Sequence, residues 1–229
     1  MRIDLFETAD DVAVAAAGMI AAEARAAVQE RGRFVFAVSG GRTPAKMLRA
    51  LSREDVPWLG VHVVQVDERL APSGHADRNL TGLHENLLAH VELSADQIHA
   101  MPVETGDGAT AATNYGRELA AVAGSPPVLD LVHLGLGPDG HTASLLPGDA
   151  ALDVTDTDVT LTGVYQGRRR MTLTLPMLNR SRRILWVVTG GDKAPMLARL
   201  LAGDQSIPAG RVNQAAAIVL ADRAAAASS

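Results

Sequence analysis

The chain has 229 residues, of which 47% are hydrophobic, and its formal net charge is −5. That apolar content is enough for a buried core, and the absence of cysteine excludes disulfides, thiolate nucleophiles and Cys-ligated zinc. The negative charge and the lack of a long basic run argue against a nucleic-acid-binding surface, so no nucleic-acid partner is expected. A small anionic ligand fits this charge only where several cations cluster locally.

The N-terminal segment contains an Ala-rich stretch, but acidic residues precede it and Glu23 and Arg25 interrupt it. This pattern is neither that of a signal peptide nor that of a membrane span. We therefore expect no membrane partner and a cytoplasmic location. Thr8-Ala-Asp-Asp11 has the pattern of a capping box at the start of a long helix.

Short apolar runs alternate with helical patterns along the rest of the chain. The runs are IDLF (3–6), RFVFAV (33–38), VHVVQV (61–66), VLDLVHLGL (128–136), RILWVVTG (183–190) and AAIVLA (216–221). The helix candidates between them are Thr43–Leu51, Asn79–His90, Thr110–Val122 and Asp192–Leu201. The runs lack strict alternation, as expected of strands covered on both faces. These features predict an α/β fold with a doubly wound, mostly parallel sheet flanked by helices in a Rossmann-like arrangement.

Two further segments, VTLTGV (159–164) and MTLTLPML (171–178), alternate better and predict a small, partly antiparallel portion. No internal repeat or linker divides the chain, so we expect a single domain over residues 1–229 with a frayed tail from about residue 224 to 229. In doubly wound sheets, ligands bind beyond the carboxyl ends of the strands, near the switch in strand order. The loops that follow the strands are therefore the first candidates for a functional site.

The loop after the second run contains Ser39, Gly40, Gly41 and Thr43. Glycines let backbone N–H groups approach an anion, and the N-terminus of the following helix favours negative charge. Two hydroxyl groups add donors, so this loop is a candidate phosphate site. An ordinary tight turn with Thr43 as the helix N-cap explains the glycines equally well.

Charged residues follow two other runs. Asp67, Glu68 and Arg69 come directly after the third run, where charge is poorly tolerated unless it faces a cleft or a partner. A solvated Glu68–Arg69 pair on the surface is the alternative. The last glycine loop, TGGDKAPML, places Lys193 in a first helical turn, where a cation is unfavourable unless an anion binds beside it. Arg69, Lys193 and Arg170 are therefore the candidate local cations.

The loop after the fourth run, GLGPDGHTASLLPG (135–148), matches G-x-G-x-x-G, the pattern of a dinucleotide-binding turn. Asp139 would repel a pyrophosphate there, and Pro147 leaves no room for the crossover helix, so we interpret the match as a coincidence. Asp139 and His141 instead place an acid and an imidazole two residues apart at a strand end, which favours proton transfer. No metal is expected, because no second histidine or cysteine accompanies His141 at ligand spacing.

Five motifs in the same order, SGGRTP, DER, GLGPDGHTASLLPG, RMTLTLPMLN and TGGDKAPML, make the whole chain resemble the 6-phosphogluconolactonases, a family related to the glucosamine-6-phosphate deaminases. The resemblance implies hydrolysis of 6-phospho-D-glucono-1,5-lactone to 6-phosphogluconate, a step of the oxidative pentose phosphate pathway, with no metal or nucleotide cofactor. It implies that His141 is the general base and that Asp139 positions it. The phosphate site that it implies is formed by Ser39, Gly40, Gly41, Thr43, Arg69 and Lys193, with Arg170 as a further candidate. The role of Asp67 in the substrate site stays open.

Three alternatives compete with a lactonase. Deaminases of the family typically read D-G-H-I-A-F-N-E, and Leu146 stands where they have the glutamate that assists ring opening, which argues against a deaminase or isomerase. A non-catalytic sugar-phosphate-sensing domain would need a helix-turn-helix, for which a first strand at Ile3 leaves no room. A nicotinamide-dependent oxidoreductase is the third. The expected partner is the sugar-phosphate lactone, and the chain is expected to be a monomer or a small homo-oligomer.

Overall fold

The computed structural model describes residues 1–104 and 106–227, without the side chain of Arg42. The described residues form ten strands: β1 Arg2–Phe6, β2 Phe34–Val38, β3 Val61–Gln65, β4 Asp67–Arg69, β5 Ile98–His99, β6 Leu131–Leu134, β7 Val159–Leu161, β8 Arg170–Leu173, β9 Arg183–Val188 and β10 Ala217–Asp222. Seven of them build a parallel sheet in the order β1-β10-β9-β6-β2-β3-β5. Each apolar run of the sequence overlaps one of these strands, and the predicted doubly wound sheet is confirmed.

The same residues form seven α-helices: α1 Ala9–Arg31, α2 Arg42–Leu51, α3 Asn79–Asn86, α4 Gly108–Ala123, α5 Leu175–Asn179, α6 Ala194–Leu201 and α7 Arg223–Ala226. All four predicted helices are present, but a separate 3₁₀ turn, Leu88–His90, follows α3 and another, Gly191–Lys193, precedes α6. In the described part of the chain, no helix combines the length and the apolar character needed to cross a membrane.

The C-terminal tail differs from its prediction. It begins with α7 rather than with frayed chain, because the Asp222 carboxylate accepts a hydrogen bond from Ala225 N at 2.8 Å and Ala225 is buried. Residues 228 and 229, the end of the predicted tail, lie outside the described residues.

The long helix α1 begins at the predicted capping box. Thr8 Oγ1 accepts a hydrogen bond from Asp11 N at 3.2 Å, and the Asp11 carboxylate accepts one from Thr8 N at 3.1 Å. Its buried face consists largely of alanine, and small side chains let the helix axis approach the sheet and α2 closely. Helix α1, together with α2 and α3, covers one face of the parallel sheet. Successive side chains of a strand point to opposite faces of the sheet, so they enter two separate apolar layers. Phe34 and Phe36 of β2 lie in the layer with α1, whereas Val35 and Ala37 lie in the layer with α4.

The strand order reverses between the neighbouring strands β2 and β6. From β2 the chain proceeds outward through β3 to β5, whereas from β6 it proceeds in the other direction through β9 to β10. The connections therefore leave these two strands on different sides, and a crevice opens beyond their carboxyl ends. The loops that begin at Ser39 and Gly135 border this crevice.

The remaining three strands form a small antiparallel sheet in the order β4-β8-β7. It is joined to the parallel sheet at Val66, whose N–H donates to Val38 O at 3.1 Å and whose carbonyl accepts from Leu173 N at 2.9 Å. The predicted antiparallel portion is thus confirmed for β7 and β8. Asp67–Arg69, which directly follow the third apolar run, form the short strand β4, and no strand was predicted there.

Glu68 is a buried structural residue rather than half of a surface pair. Its carboxylate accepts hydrogen bonds from Asn79 N at 2.7 Å and Leu80 N at 2.8 Å, and so caps the N-terminus of α3. It also lies 3.1 Å from Nε of Arg78, whose side chain is buried. Arg69 contributes only its backbone N–H, at 2.8 Å, so the solvated Glu68–Arg69 alternative is wrong.

We expect Glu68→Gln to lower the free energy of unfolding by ~3–5 kcal/mol, because the change removes the buried charge partner of the Arg78 guanidinium and leaves it only the exposed carboxylate of Glu104. The matched control is Glu104→Gln, since Glu104 pairs with the same arginine at 2.9 Å but is 52% exposed. That variant should lose less than about 1 kcal/mol. Urea unfolding followed by circular dichroism measures both, and equal losses would contradict this account of Glu68.

Candidate active site

A cleft of about 260 Å³ lies in the crevice between β2 and β6. The structure brings nine of the ten predicted site residues to its lining: Ser39, Gly40, Gly41, Thr43, Asp67, Arg69, His141, Arg170 and Lys193. The tenth, Asp139, lies behind His141 and contacts its ring. Residues that follow the carboxyl ends of β2, β6 and β9 therefore meet in one place, as expected of a doubly wound sheet, and β4 and β8 of the antiparallel sheet add Asp67, Arg69 and Arg170.

Asp139 and His141 form a hydrogen-bonded pair. Nδ1 of His141 lies 2.5 Å from Oδ1 of Asp139, and the same oxygen accepts the backbone N–H of His141 at 3.1 Å. The loop is held in this shape because Gly137 N donates to His141 O at 2.8 Å. A carboxylate at Nδ1 favours the tautomer that leaves Nε2 unprotonated, and Nε2 has no hydrogen-bond partner among the described residues.

The charge of Asp139 supports this role. Partial burial raises the pKa of Asp139, but the His141 backbone N–H and the adjacent imidazole outweigh that effect, and the net pKa lies below its usual value. The group is therefore an anion near neutral pH. An anion at Nδ1 stabilises the imidazolium that forms when Nε2 takes up a proton.

The loop does not have the geometry of a dinucleotide-binding turn. After β6 the first helical residues are the 3₁₀ turn Ala150–Asp153, so no α-helix opens at the third glycine. Gly137 instead provides room for the acid–imidazole pair. A Cβ atom at Gly137 would overlap the ring of His141 and approach Asp139 Oδ1 to 2.7 Å.

The opposite side of the cleft is suited to an anion. Helix α2 begins after Gly41, which forms no side-chain capping bond, so the interpretation of Thr43 as the N-cap is wrong. Thr43 Oγ1 lies 3.0 Å from Thr189 Oγ1, a cleft residue that was missed in the sequence. Lys193 reaches the same cleft and pairs with the exposed carboxylate of Asp192 at 3.1 Å. A helix N-terminus, two hydroxyls and an ammonium group together favour a phosphate.

Ser39 makes an internal hydrogen bond at this edge of the sheet. Its Oγ donates to His133 O at 3.0 Å, and its backbone N–H points to His133 Nδ1 at 3.4 Å, so it ties β2 to β6. His133 is fully buried, and burial lowers its pKa to about 3, so this ring is neutral.

Two arginines extend the cationic side of the cleft. Arg69 of β4 pairs in register with Arg170 of β8. The Arg69 guanidinium donates to Asp77 O at 3.1 Å and to the Asn79 side chain. Burial and the charge of Arg69 lower the pKa of Arg170, whose Nε is buried without a partner among the described residues. The cleft thus supplies the local cluster of cations that a net charge of −5 demands of an anion site.

Asp67 is buried beside these arginines. Its carboxylate accepts hydrogen bonds from Ser144 Oγ at 2.5 Å and Asn79 Nδ2 at 3.2 Å. Burial nevertheless raises its pKa. Asn79 also explains why residue 40 is a glycine, since a Cβ atom at Gly40 would overlap the Asn79 side chain. Neither Asn79 nor Ser144 stood out in the sequence, because both act through contacts with residues that are distant along the chain.

Two observations bear on the alternatives. Leu146 occupies the position where deaminases have their glutamate, and its side chain carries no carboxylate. It is buried and does not line the cleft. Among residues 1–104 and 106–227, no three His, Asp or Glu side chains come close enough together to hold a metal ion.

The fold and the cleft define an α/β protein whose cleft combines groups that favour an anion with an acid–imidazole pair. A family model described as glucosamine-6-phosphate isomerases/6-phosphogluconolactonase matches residues 7–220. The chain therefore belongs to this family, and the family predicted from the motifs is confirmed.

Similar proteins cover most of the chain. It is 36% identical over 239 residues to a 6-phosphogluconolactonase of Mycobacterium tuberculosis, with 98% of this chain and 97% of that protein covered. It is 39% identical over 180 residues to a 6-phosphogluconolactonase of Synechocystis sp., with 77% and 75% covered. The crystal structure of 6-phosphogluconolactonase from Thermotoga maritima matches with a TM-score of 0.86 at 26% identity, covering 96% of this chain and 98% of that one.

Gly137→Ala tests the need for space behind His141. We expect the added methyl group to displace the imidazole from Asp139 without unfolding the protein, since the neighbouring atoms belong to side chains. Gly135→Ala is the matched control, because a Cβ atom at Gly135 meets nothing within 4 Å. Crystal structures of both variants check this. A His141–Asp139 distance that is unchanged in Gly137→Ala would contradict the expectation.

Proposed function

We propose that this chain is a 6-phosphogluconolactonase, a carboxylic ester hydrolase that opens 6-phospho-D-glucono-1,5-lactone to 6-phosphogluconate. Relatives of that name match the chain over up to 98% of its length. The observation that carries the residue-level proposal is the single cleft in which the Asp139-paired His141 meets a helix N-terminus, Lys193 and two arginines. A ligand with a phosphate at one end and a hydrolysable carbonyl at the other matches that distribution of groups.

In the proposed mechanism, His141 acts as the general base. Its Nε2 takes a proton from a water molecule while the water oxygen attacks the lactone carbonyl carbon. The resulting tetrahedral intermediate collapses as the bond from this carbon to the ring oxygen breaks, and the imidazolium returns its proton to that oxygen. Asp139 fixes the tautomer of His141 and stabilises the imidazolium through Nδ1–H. Water is the only co-reactant.

Five of the other predicted residues hold the phosphate in this proposal. Backbone N–H groups at the start of α2, after Gly40 and Gly41, and the hydroxyl of Thr43 supply donors, while Lys193 and Arg69 supply charge. Ser39 shapes the turn, since its own proton is shared with His133 O. Arg170 and the buried Asp67 also line the cleft, and we assign them to the sugar. The cytoplasmic location and the oligomeric state stay predictions.

Turnover of the lactone tests the proposal. The wild-type protein should open the lactone well above the spontaneous rate, followed by coupling the product to 6-phosphogluconate dehydrogenase in mildly acidic buffer. His141→Ala should lower kcat/KM by ~10²–10⁴-fold, the usual contribution of a general base. His84→Ala, a change at an exposed histidine of α3, is the control. Release of ammonia from glucosamine 6-phosphate, or full activity in His141→Ala, would overturn the assignment.

Lys193→Ala tests the phosphate end. A hydrogen bond to a charged group is worth ~1.5–3 kcal/mol, so KM should rise roughly 10- to 100-fold. The value of kcat should change little, because the phosphate is held in both the ground state and the transition state. Lys46→Ala is the control, since Lys46 is the only other lysine of the sequence and is 57% exposed beside Asp10. A loss confined to kcat would contradict the assignment.

A further inference from the structure

The strands β7 and β8 are joined by a hairpin whose tip, residues 163–168, lies next to the cleft. Tyr165 N donates to Arg168 O at 2.9 Å, and the two turn residues between them, Gln166 and Gly167, have φ angles of 52° and 77°. Positive φ at both central residues is the requirement of a type I′ turn, one of the two common two-residue hairpin turns. The tip is therefore a defined structure that can present a side chain in a fixed direction.

Tyr165 uses this position to contact two residues of the site, His141 and Arg170. Its ring meets the ring of His141 edge to face, with centroids 6.2 Å apart. The guanidinium of Arg170 lies over the same ring, with Cζ 5.0 Å from the centroid. Among the described residues, the Arg170 side chain has two other hydrogen-bond partners, Gln166 Oε1 at 3.3 Å and Ser144 Oγ at 3.5 Å. The aromatic face is thus a main contact of a buried cation.

The hairpin tip is fastened to the loop before α3. Arg168 Nε lies 2.8 Å from Asp77 Oδ2, and Arg168 Nη2 lies 3.2 Å from His75 Nε2. The backbone carbonyl of Asp77 also accepts a hydrogen bond from Arg69 at 3.1 Å. Asp77 therefore holds the hairpin tip and one of the cleft arginines at the same time.

We propose that Tyr165 is a positioning residue for lactone hydrolysis. Its ring keeps the imidazole of His141 and the guanidinium of Arg170 at a fixed separation, and the Arg168–Asp77 pair keeps the ring in place. The ring carries this role, because the Tyr165 hydroxyl forms no hydrogen bond with the described residues. The inference rests on the proposed function, since it concerns the spacing of groups that act on the lactone.

Two substitutions of Tyr165 distinguish a role of its ring from a role of its hydroxyl group. Tyr165→Phe should keep kcat/KM within about twofold of wild type, whereas Tyr165→Leu should lower it by ~10- to 100-fold, as expected when a reacting group is displaced by up to about 1 Å. Val164→Ala is the matched control, because Val164 belongs to the same hairpin tip and is 72% exposed. A Leu variant within twofold of wild type, or a Phe variant as slow as the Leu variant, would overturn the proposal.

A double-mutant cycle tests whether the Arg168–Asp77 ion pair holds the hairpin tip in place. Arg168→Gln and Asp77→Asn should each lower kcat/KM by ~2- to 5-fold, in line with the modest energy of an exposed ion pair. The double variant should be no slower than the slower single variant, because either change already breaks the same contact. Independent, multiplying losses would show that this pair does not act through the hairpin tip.

A readout that does not need turnover distinguishes failure of this inference from failure of the proposed function. The ring ¹⁵N chemical shifts of His141, assigned from the spectrum of His141→Ala, report which ring nitrogen carries the proton. Wild type and Tyr165→Phe should show Nδ1–H held by Asp139, whereas Tyr165→Leu should show both tautomers. A protein without lactonase activity would refute the proposed function alone, and ring shifts that are unaltered in Tyr165→Leu would refute the role of Tyr165.

Discussion

The crevice between β2 and β6 exists because the chain leaves these two neighbouring strands in opposite directions. No helix can cover the sheet edge at that point, so the backbone of two glycine-containing loops faces an open space. One loop leads into the N-terminus of α2 and favours an anion. The other carries Asp139 and His141. Topology alone thus places a phosphate-binding element beside an acid–base element, and the cleft between them is the size of a small molecule.

The antiparallel sheet closes this crevice from the side. The chain passes from one sheet to the other at Val66, and the next residues, Asp67–Arg69, already belong to β4. A strand of three charged residues is stable here because each side chain has a partner. Glu68 caps α3 and pairs with the buried Arg78, Asp67 accepts bonds from Ser144 and Asn79, and Arg69 is held by the loop before α3. The cost of burying these charges is offset only while the whole network is intact, which gives the cleft a rigid wall.

Most of the parallel sheet could be predicted from the sequence, because strands buried on both faces must be short, apolar and β-branched. The start of α1 could be predicted because the Thr8 capping box acts within four residues. Strand β4 could not, since Asp67–Arg69 has no apolar pattern and its burial depends on Arg78 and on the N–H groups of α3. The two-residue strand β5, Ile98–His99, is too short to show any period.

The same distinction between local sequence and distant contacts applies to the site residues. Residues in the loops that follow strands, such as His141 after β6 and Lys193 after β9, could be predicted because the strand-end rule needs only local sequence. Asn79 and Tyr165 were missed, since each reaches the site through contacts with a distant segment. Thr189 directly follows β9, but the apolar run RILWVVTG (183–190) included it, so it was interpreted as part of the strand. Gly137 was noticed for a dinucleotide pattern, whereas its place in the structure is explained by the space that the His141 ring occupies.

The central claim is that one cleft holds the phosphate at its Lys193 end and the carbonyl at its His141 end. Its most direct test compares kcat/KM for 6-phosphogluconolactone and for unphosphorylated glucono-1,5-lactone in wild type, His141→Ala and Lys193→Ala. The account predicts that His141→Ala slows both substrates by the same factor, whereas Lys193→Ala slows only the phosphorylated one. A Lys193→Ala protein that slows both substrates equally would contradict it.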